Sequence, residues 1–164
     1  MEQVEEVLYS YRSLKRASKR LRRRACTIND GLKSNYSADK NVAKIGKKYY
    51  RITPGRVSAS YNQSNIVEDN IIRNDDLLCR AKRADELRKI IQEDVEELRK
   101  DDPEVGEEMA KVIELKYFKK YKNRKIEIEL AISDATLYRR RVKALELLEQ
   151  KGLQLLFGEI MSII

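Results

Sequence analysis

The sequence predicts an all-α chain: a pair of long N-terminal helices, an irregular segment between them, and a smaller C-terminal helical unit. Three observations carry this. Apolar residues near the start recur in alternating steps of three and four. A second apolar seam, in the middle of the chain, repeats every seven residues. A third stretch, residues 123–151, reads as a short helix, a tight turn and a longer basic helix.

The first seam is Val4, Val7, Tyr11, Leu14, Ser18, Leu21 and Ala25. That spacing keeps one face of a helix apolar and predicts a helix over residues 2–24, with Ser18 as its polar interruption. The second half, KRASKRLRRR at residues 15–24, is intensely basic. Such a face can follow a phosphate backbone. It can equally pair with the acidic residues concentrated between Glu93 and Glu108, and the sequence weights the two readings alike.

Residues 26–75 lose helical period. Asn29-Asp30-Gly31 and Pro54-Gly55 are turn signals, and Lys48-Tyr49-Tyr50-Arg51-Ile52-Thr53 has a strand-favouring composition. The segment is expected to be irregular or flexible. Helical period returns with Leu77, Ala84, Ile91 and Leu98, between which Leu87 and Val95 fill the seam. This predicts a helix over 75–100 that packs on the first. Self-association of either seam, giving a homodimer, is the competing use. Asp102-Pro103 predicts a new helix start, an acidic N-cap before a proline at the first helical position, running to about Phe118. The expected domains are therefore 1–100, irregular over 26–75, and 101–164.

Within residues 123–151, Ile126 and Leu130 lie four apart on one face of the short helix. Ala131-Ile132-Ser133 fits a turn: a small residue where the chain reverses, an apolar plug, and a serine that can cap the next helix. Leu137, Ala144, Leu145 and Leu148 mark a buried stripe on the second helix. This is the helix-turn-helix plan, in which the second helix enters a major groove. An ordinary helical hairpin with a solvated basic face is the bland reading. The closing LQLLFGEIMSII, from Leu153, is expected to cap the core, with a dimer contact as the alternative.

Composition narrows the function. The chain carries 35 basic and 27 acidic residues, net +8, and is basic towards both ends and acidic between, which favours an anionic partner. It has no histidine, and Cys26 and Cys79 are its two cysteines, so neither a metal site nor a cofactor is expected. The two thiols are expected to be buried and reduced. Without histidine, a phosphate-binding loop or a nucleophile motif, an enzyme is not expected. No apolar run approaches the roughly 20 residues that span a bilayer, and no signal peptide opens the chain. A cytoplasmic protein with no membrane partner is the expectation.

Residues 108–148 resemble region 4 of sigma-70-type factors. The shared pattern is a helix ending in an apolar-basic-aromatic triplet, here Leu115-Lys116-Tyr117, a linker, and a helix-turn-helix with an apolar frame. That frame is kept at Ile126, Leu130, Ile132, Leu137, Ala144, Leu145 and Leu148. Ala131 stands where the turn often has glycine, and Glu127 where alanine is usual. Nothing corresponds to the sigma region that melts promoter DNA. The layout as a whole, ending in SDATLYRRRVKALELL, is similar to the ArpU/RinA-type regulators of phages and prophages, which are sigma-like activators of late genes. The resemblance implies a sequence-specific DNA-binding transcription regulator in a bacterial cytoplasm. Its partners would be double-stranded DNA and, through the sigma-like region, bacterial RNA polymerase.

Helix-turn-helix geometry divides the expected contacts by role. Ala135, Thr136, Tyr138 and Arg139 lie on the first turns of the second helix and are the candidates for base edges. Lys122, Arg124, Lys125, Arg140, Arg141 and Lys143 are the candidates for phosphates, with Arg141 also placed to face the core in part. Two rivals remain: a DNA-packaging subunit resembling a small terminase, and a basic helical adaptor that docks on an acidic protein.

Overall fold

A computed structural model describes the backbone of residues 1–35, 42–45, 48–51 and 60–164, and the side chains of 1–28 and 69–164. Among the described residues the fold is all-α apart from one hairpin. The order is α1 (Glu2–Asn35), β1 (Val42–Ile45), β2 (Lys48–Arg51), α2 (Ser60–Asp101) and α3 (Gly106–Ile113). A π-helical turn (Glu114–Phe118) then leads to α4 (Asn123–Leu130) and α5 (Asp134–Gln150). A 3₁₀ turn (Leu153–Leu156) and α6 (Phe157–Ile163) close the chain. No described helix is long and apolar enough to cross a membrane.

Both long helices exceed their expected bounds. α1 runs eleven residues past 24, to Asn35, and α2 begins at Ser60 rather than at 75. The irregular segment expected over 26–75 is thus largely helical at its two ends. In α1 the seam itself continues, since Ile28 and Leu32 keep the steps of three and four from Ala25 past the Asn29-Asp30-Gly31 turn signal. Residues 26–35 hold no proline and a single glycine, and residues 60–75 hold neither, so nothing stops propagation. Between them, β1 and β2 pair antiparallel, Val42 with Arg51 and Ile45 with Lys48. The expected strand at 48–53 is present as Lys48–Arg51, and its last two positions lie outside the described residues.

The chain divides into two compact units, Met1–Ser18 with Arg83–Ile164, and Lys19–Lys82, rather than at the expected 100/101 boundary. In the first unit, the seams of α1 and α2 bury Val4, Val7, Leu8, Leu14 and Ala17 together with Ala84, Leu87, Ile91, Val95 and Leu98. Polar ties fix their register: Ser18 Oγ donates to Asp85 Oδ2 at 2.8 Å, and the Tyr11 hydroxyl reaches Gln92 at 3.2 Å. α1 also meets the π turn. The Tyr11 ring stacks on Phe118 with centroids 3.9 Å apart, and Tyr9 stands edge-on to Tyr117 at 4.8 Å. Leu153, Ile160 and Ile163 of the closing apolar stretch are buried, while Leu155, Met161 and Ile164 are exposed.

α3 does not begin at Asp102-Pro103. Asp102 instead caps a separate turn, its Oδ1 accepting from the amides of Glu104 at 3.1 Å and Val105 at 3.2 Å, and α3 starts four residues on, at Gly106. The start is delayed because the chain must pass the end of α2 closely: a Cβ at Gly106 would lie 2.3 Å from the Leu98 carbonyl oxygen.

In the second unit, Leu21, Ala25 and Ala81 are buried. Cys26 and Cys79, expected to be buried, are both exposed and free. Cys26 directly follows Ala25, and one helical step of about 100° carries it off the seam.

Two glycines separate packing from propensity. Gly106→Ala should destabilise the chain by about 1–3 kcal/mol, since backbone and not a flexible side chain blocks the added methyl. Gly158→Ala, in α6 with open space around it, should be neutral or stabilising by up to about 1 kcal/mol. Urea melts of both variants check the pair.

Candidate nucleic-acid interface

α4 begins where the π turn hands over to a lysine-rich connection. Lys116 Nζ donates to Asn123 Oδ1 at 2.6 Å, pinning the first residue of α4 to the preceding turn. Lys120 holds a left-handed backbone, φ 59°. Beyond it Tyr121 packs against the cluster of Val112, Leu115, Ile126 and Leu137, which Leu130 and Ile132 close from the turn side. The apolar frame expected from the sequence is therefore assembled.

The turn between α4 and α5 follows from three adjacent residues. Ala131 takes the left-handed conformation at φ 53°, a position glycine fills without steric cost. Ile132 tucks into the cluster. Ser133 caps α5: its Oγ accepts from the Thr136 amide at 3.2 Å and lies 2.9 Å from the Thr136 hydroxyl.

α5 buries Leu137, Ala144, Leu145 and Leu148. Of the four residues expected at base edges, Ala135, Tyr138 and Arg139 are exposed, Tyr138 at 62%. They line an open depression of about 380 Å³ with Asn123, Asp134, Leu137 and Arg141. Thr136 is apart from them, half-buried, with its hydroxyl held against Ser133.

The six residues expected at phosphates divide in two. Lys122, Arg124 and Lys125 are exposed at the start of α4 and form no ion pair among the described residues. Lys125 Nζ sits 3.6 Å from the centre of the Tyr121 ring, an attraction that orients the ammonium without neutralising it. Lys119 lies over the same ring at 5.8 Å. Lys119 and Lys120, both exposed, extend this basic patch, and their only sequence signal was the basic connection before α4.

The other three cations are tied into the fold. Arg140 Nε donates to Glu108 at 3.0 Å, Arg141 to Glu5 at 2.7 Å and Lys143 to Asp102 at 2.5 Å. They occupy the flank of α5 that faces α3, α1 and the Asp102 turn. Sequence alone could not assign them, because each partner carboxylate lies more than thirty residues away. Beneath Arg141 lies Tyr117, whose hydroxyl burial pushes above the ordinary phenol range, Glu5 adding to the rise and Arg141 opposing it. Among the described residues, no cluster of histidine, cysteine and acidic side chains is placed to hold a metal ion.

No family model matches the chain, and no curated protein or solved structure is significantly similar to it.

The Lys143 hydrogen bond, helped by the amides of Val105 and Glu104, holds the Asp102 carboxyl below the usual carboxylate range. A folded pKa below the unfolded one adds stability above the unfolded value, and that stability is lost as pH falls through the folded one. Melting curves taken between about pH 2 and 7 should therefore show a steeper acid fall for the native chain than for Asp102→Asn. Parallel falls would remove Asp102 from the account.

Proposed function

We propose that the chain is a sequence-specific DNA-binding transcription regulator that reads a major groove with α5. The observation that carries this is the division of α5 itself. Its apolar stripe is buried and Arg140, Arg141 and Lys143 are paired, while Ala135, Tyr138 and Arg139 stand exposed around a depression shared with Asn123, the α4 residue between the unpaired Lys122 and Arg124. A helical hairpin serving only as structure has no need to leave an arginine and a tyrosine together on the first turns after a capped turn.

Each group has a physical role. Arg139 can place two hydrogen bonds on a guanine edge, and Ala135 can meet a thymine methyl. Tyr138 offers a broad apolar face with a polar tip. Lys122, Arg124 and Lys125 carry the phosphate contacts that fix register. Taken with the sigma region 4 pattern of residues 108–148, the reading extends to a sigma-like activator of phage or prophage genes, with bacterial RNA polymerase as a second partner.

Selection of genomic fragments on the purified chain supplies a preferred duplex, and variants then test the roles. Arg139→Ala should cost about 1–3 kcal/mol on that duplex and relax preference at one base position. Arg124→Ala should weaken preferred and scrambled duplexes alike, lowering the log–log salt slope by about 0.9. The assignment fails if the two variants exchange behaviours, or if neither changes binding.

A further inference from the structure

We propose that residues 19–24 of α1 form a second DNA-contacting surface, one that grips the duplex backbone without reading sequence. The proposal goes beyond the helix-turn-helix reading and shares only its premise that the chain meets DNA. Between Arg12 and Thr27 the sequence holds eight cations and no acidic residue. Within the second unit, Lys19, Arg20, Arg22, Arg23 and Arg24 are all exposed, while Leu21 and Ala25 are buried. Six consecutive helical positions span about 7.5 Å of axis and turn through about 500°. The cations therefore surround the helix except on the Leu21 side. A duplex offers about one negative charge per 1.7 Å, so this density of fixed charge is complementary to it.

The sequence left one competitor, pairing of this block with the acidic residues between Glu93 and Glu108. Most of those acids have other partners. Glu93 pairs with Lys89 at 3.4 Å, Glu96 with Arg99 at 3.4 Å, and Glu97 and Asp101 both with Lys151, at 2.8 and 3.0 Å. Glu107 pairs with Lys111 at 2.9 Å and Glu108 with Arg140 at 3.0 Å. Arg20 and Arg22 have partners of their own, so the proposal rests on Lys19, Arg23 and Arg24, which form no ion pair among the described residues.

The chemistry also selects the partner. Single-stranded nucleic acid is held on aromatic platforms, and residues 19–24 contain no aromatic side chain. A membrane-surface helix inserts an apolar face, and the apolar face here is buried. Of these three anionic surfaces, duplex phosphate is the one whose charge density the helix matches.

The test is a Lys19→Gln, Arg23→Gln, Arg24→Gln triple variant of the full chain, titrated with a scrambled duplex of about 30 base pairs at several salt concentrations. Three lost phosphate contacts should flatten the log–log slope by about 2.7, so that raising salt from about 50 to 200 mM costs roughly 40-fold less affinity than in the native chain. The preference for selected over scrambled duplex should not change. An unchanged slope overturns the proposal. So does a variant that keeps duplex binding but loses single-stranded RNA or phosphatidylserine vesicles run in parallel. If the triple variant abolishes duplex binding while Arg139→Ala and Arg124→Ala do nothing, this surface stands and the helix-turn-helix reading falls. If the triple variant melts early, Arg23→Gln alone, expected to remove about 0.9 from the slope, decides the matter.

Discussion

The placement of α5 turns on one ion pair, Arg141 with Glu5, closed at 2.7 Å over the buried ring of Tyr117. Both side chains are only about a quarter exposed, at 27% and 26%. In such surroundings the attraction must first offset the loss of hydration, so the pair contributes little as a sum. Losing one partner is another matter, because the charge left behind is uncompensated, at up to about 3–5 kcal/mol for a fully buried pair. The contact therefore acts as a positional lock. Together with the buried stripe of Leu137, Ala144, Leu145 and Leu148, it fixes the rotation of α5 about its own axis, and with it the direction in which Tyr138 and Arg139 project. Since Glu5 belongs to α1, the N-terminal helix is part of the frame that orients the exposed face. The stacking of Tyr11 on Phe118 and of Tyr9 against Tyr117 makes the same connection through apolar area.

The charges on α5 are sorted by partner. Arg140, Arg141 and Lys143 each meet a carboxylate supplied by a different element, and this triple brace holds the helix against α3, α1 and the Asp102 turn. Arg139, one residue away from the brace, is free of it because a helical step of about 100° rotates it outward. Counting basic residues on a recognition-type helix thus overstates the charge it can offer a partner. The free positive charge gathers instead at residues 119–125, where Tyr121 lies beneath Lys119 and Lys125 and keeps both ammonium groups near the start of α4.

Much of this was legible in the sequence, and the limits were physical. The seams of α1 and α2 and the frame around Ile126, Ile132 and Leu137 were legible because burial writes itself as periodicity. The Ser133 cap was legible because a cap is a local interaction. The extensions of α1 to Asn35 and of α2 back to Ser60 were masked rather than absent. Ile28 and Leu32 continue the steps of three and four from Ala25, and Val67 and Ile71 precede Leu78 at helical spacing, but the Asn29-Asp30-Gly31 turn signal and the density of Ser and Asn outweighed them. The delayed start of α3 was hidden, since Asp102-Pro103 does cap a turn and only the approach of Gly106 to Leu98 shows that the turn is separate. The pairing of Arg141 with Glu5 was out of reach for a simpler reason: 136 residues separate them. The exposed thiols show the remaining limit. Composition suggests where cysteine usually goes, but a single helical step past Ala25 decides where Cys26 goes.

The division between braced and free cations bears on how a chain of this kind can bind DNA at all. Affinity for duplex comes chiefly from displaced counterions, one set for each phosphate neutralised, whereas base contacts choose among sequences. With three of its cations engaged by carboxylates, α5 would, on the proposed reading, keep Arg139 for base contacts, and the opening of α4 would supply the local phosphate contacts. That arrangement favours discrimination over hold. On the same reading, the exposed cations Lys19, Arg23 and Arg24 would give the chain a separate source of hold, one that is indifferent to sequence and does not compete with Arg139 for base edges. Strengthening the first surface changes which site is preferred, and strengthening the second changes how tightly every site is held. The two properties can then vary independently, which a single basic recognition helix does not allow.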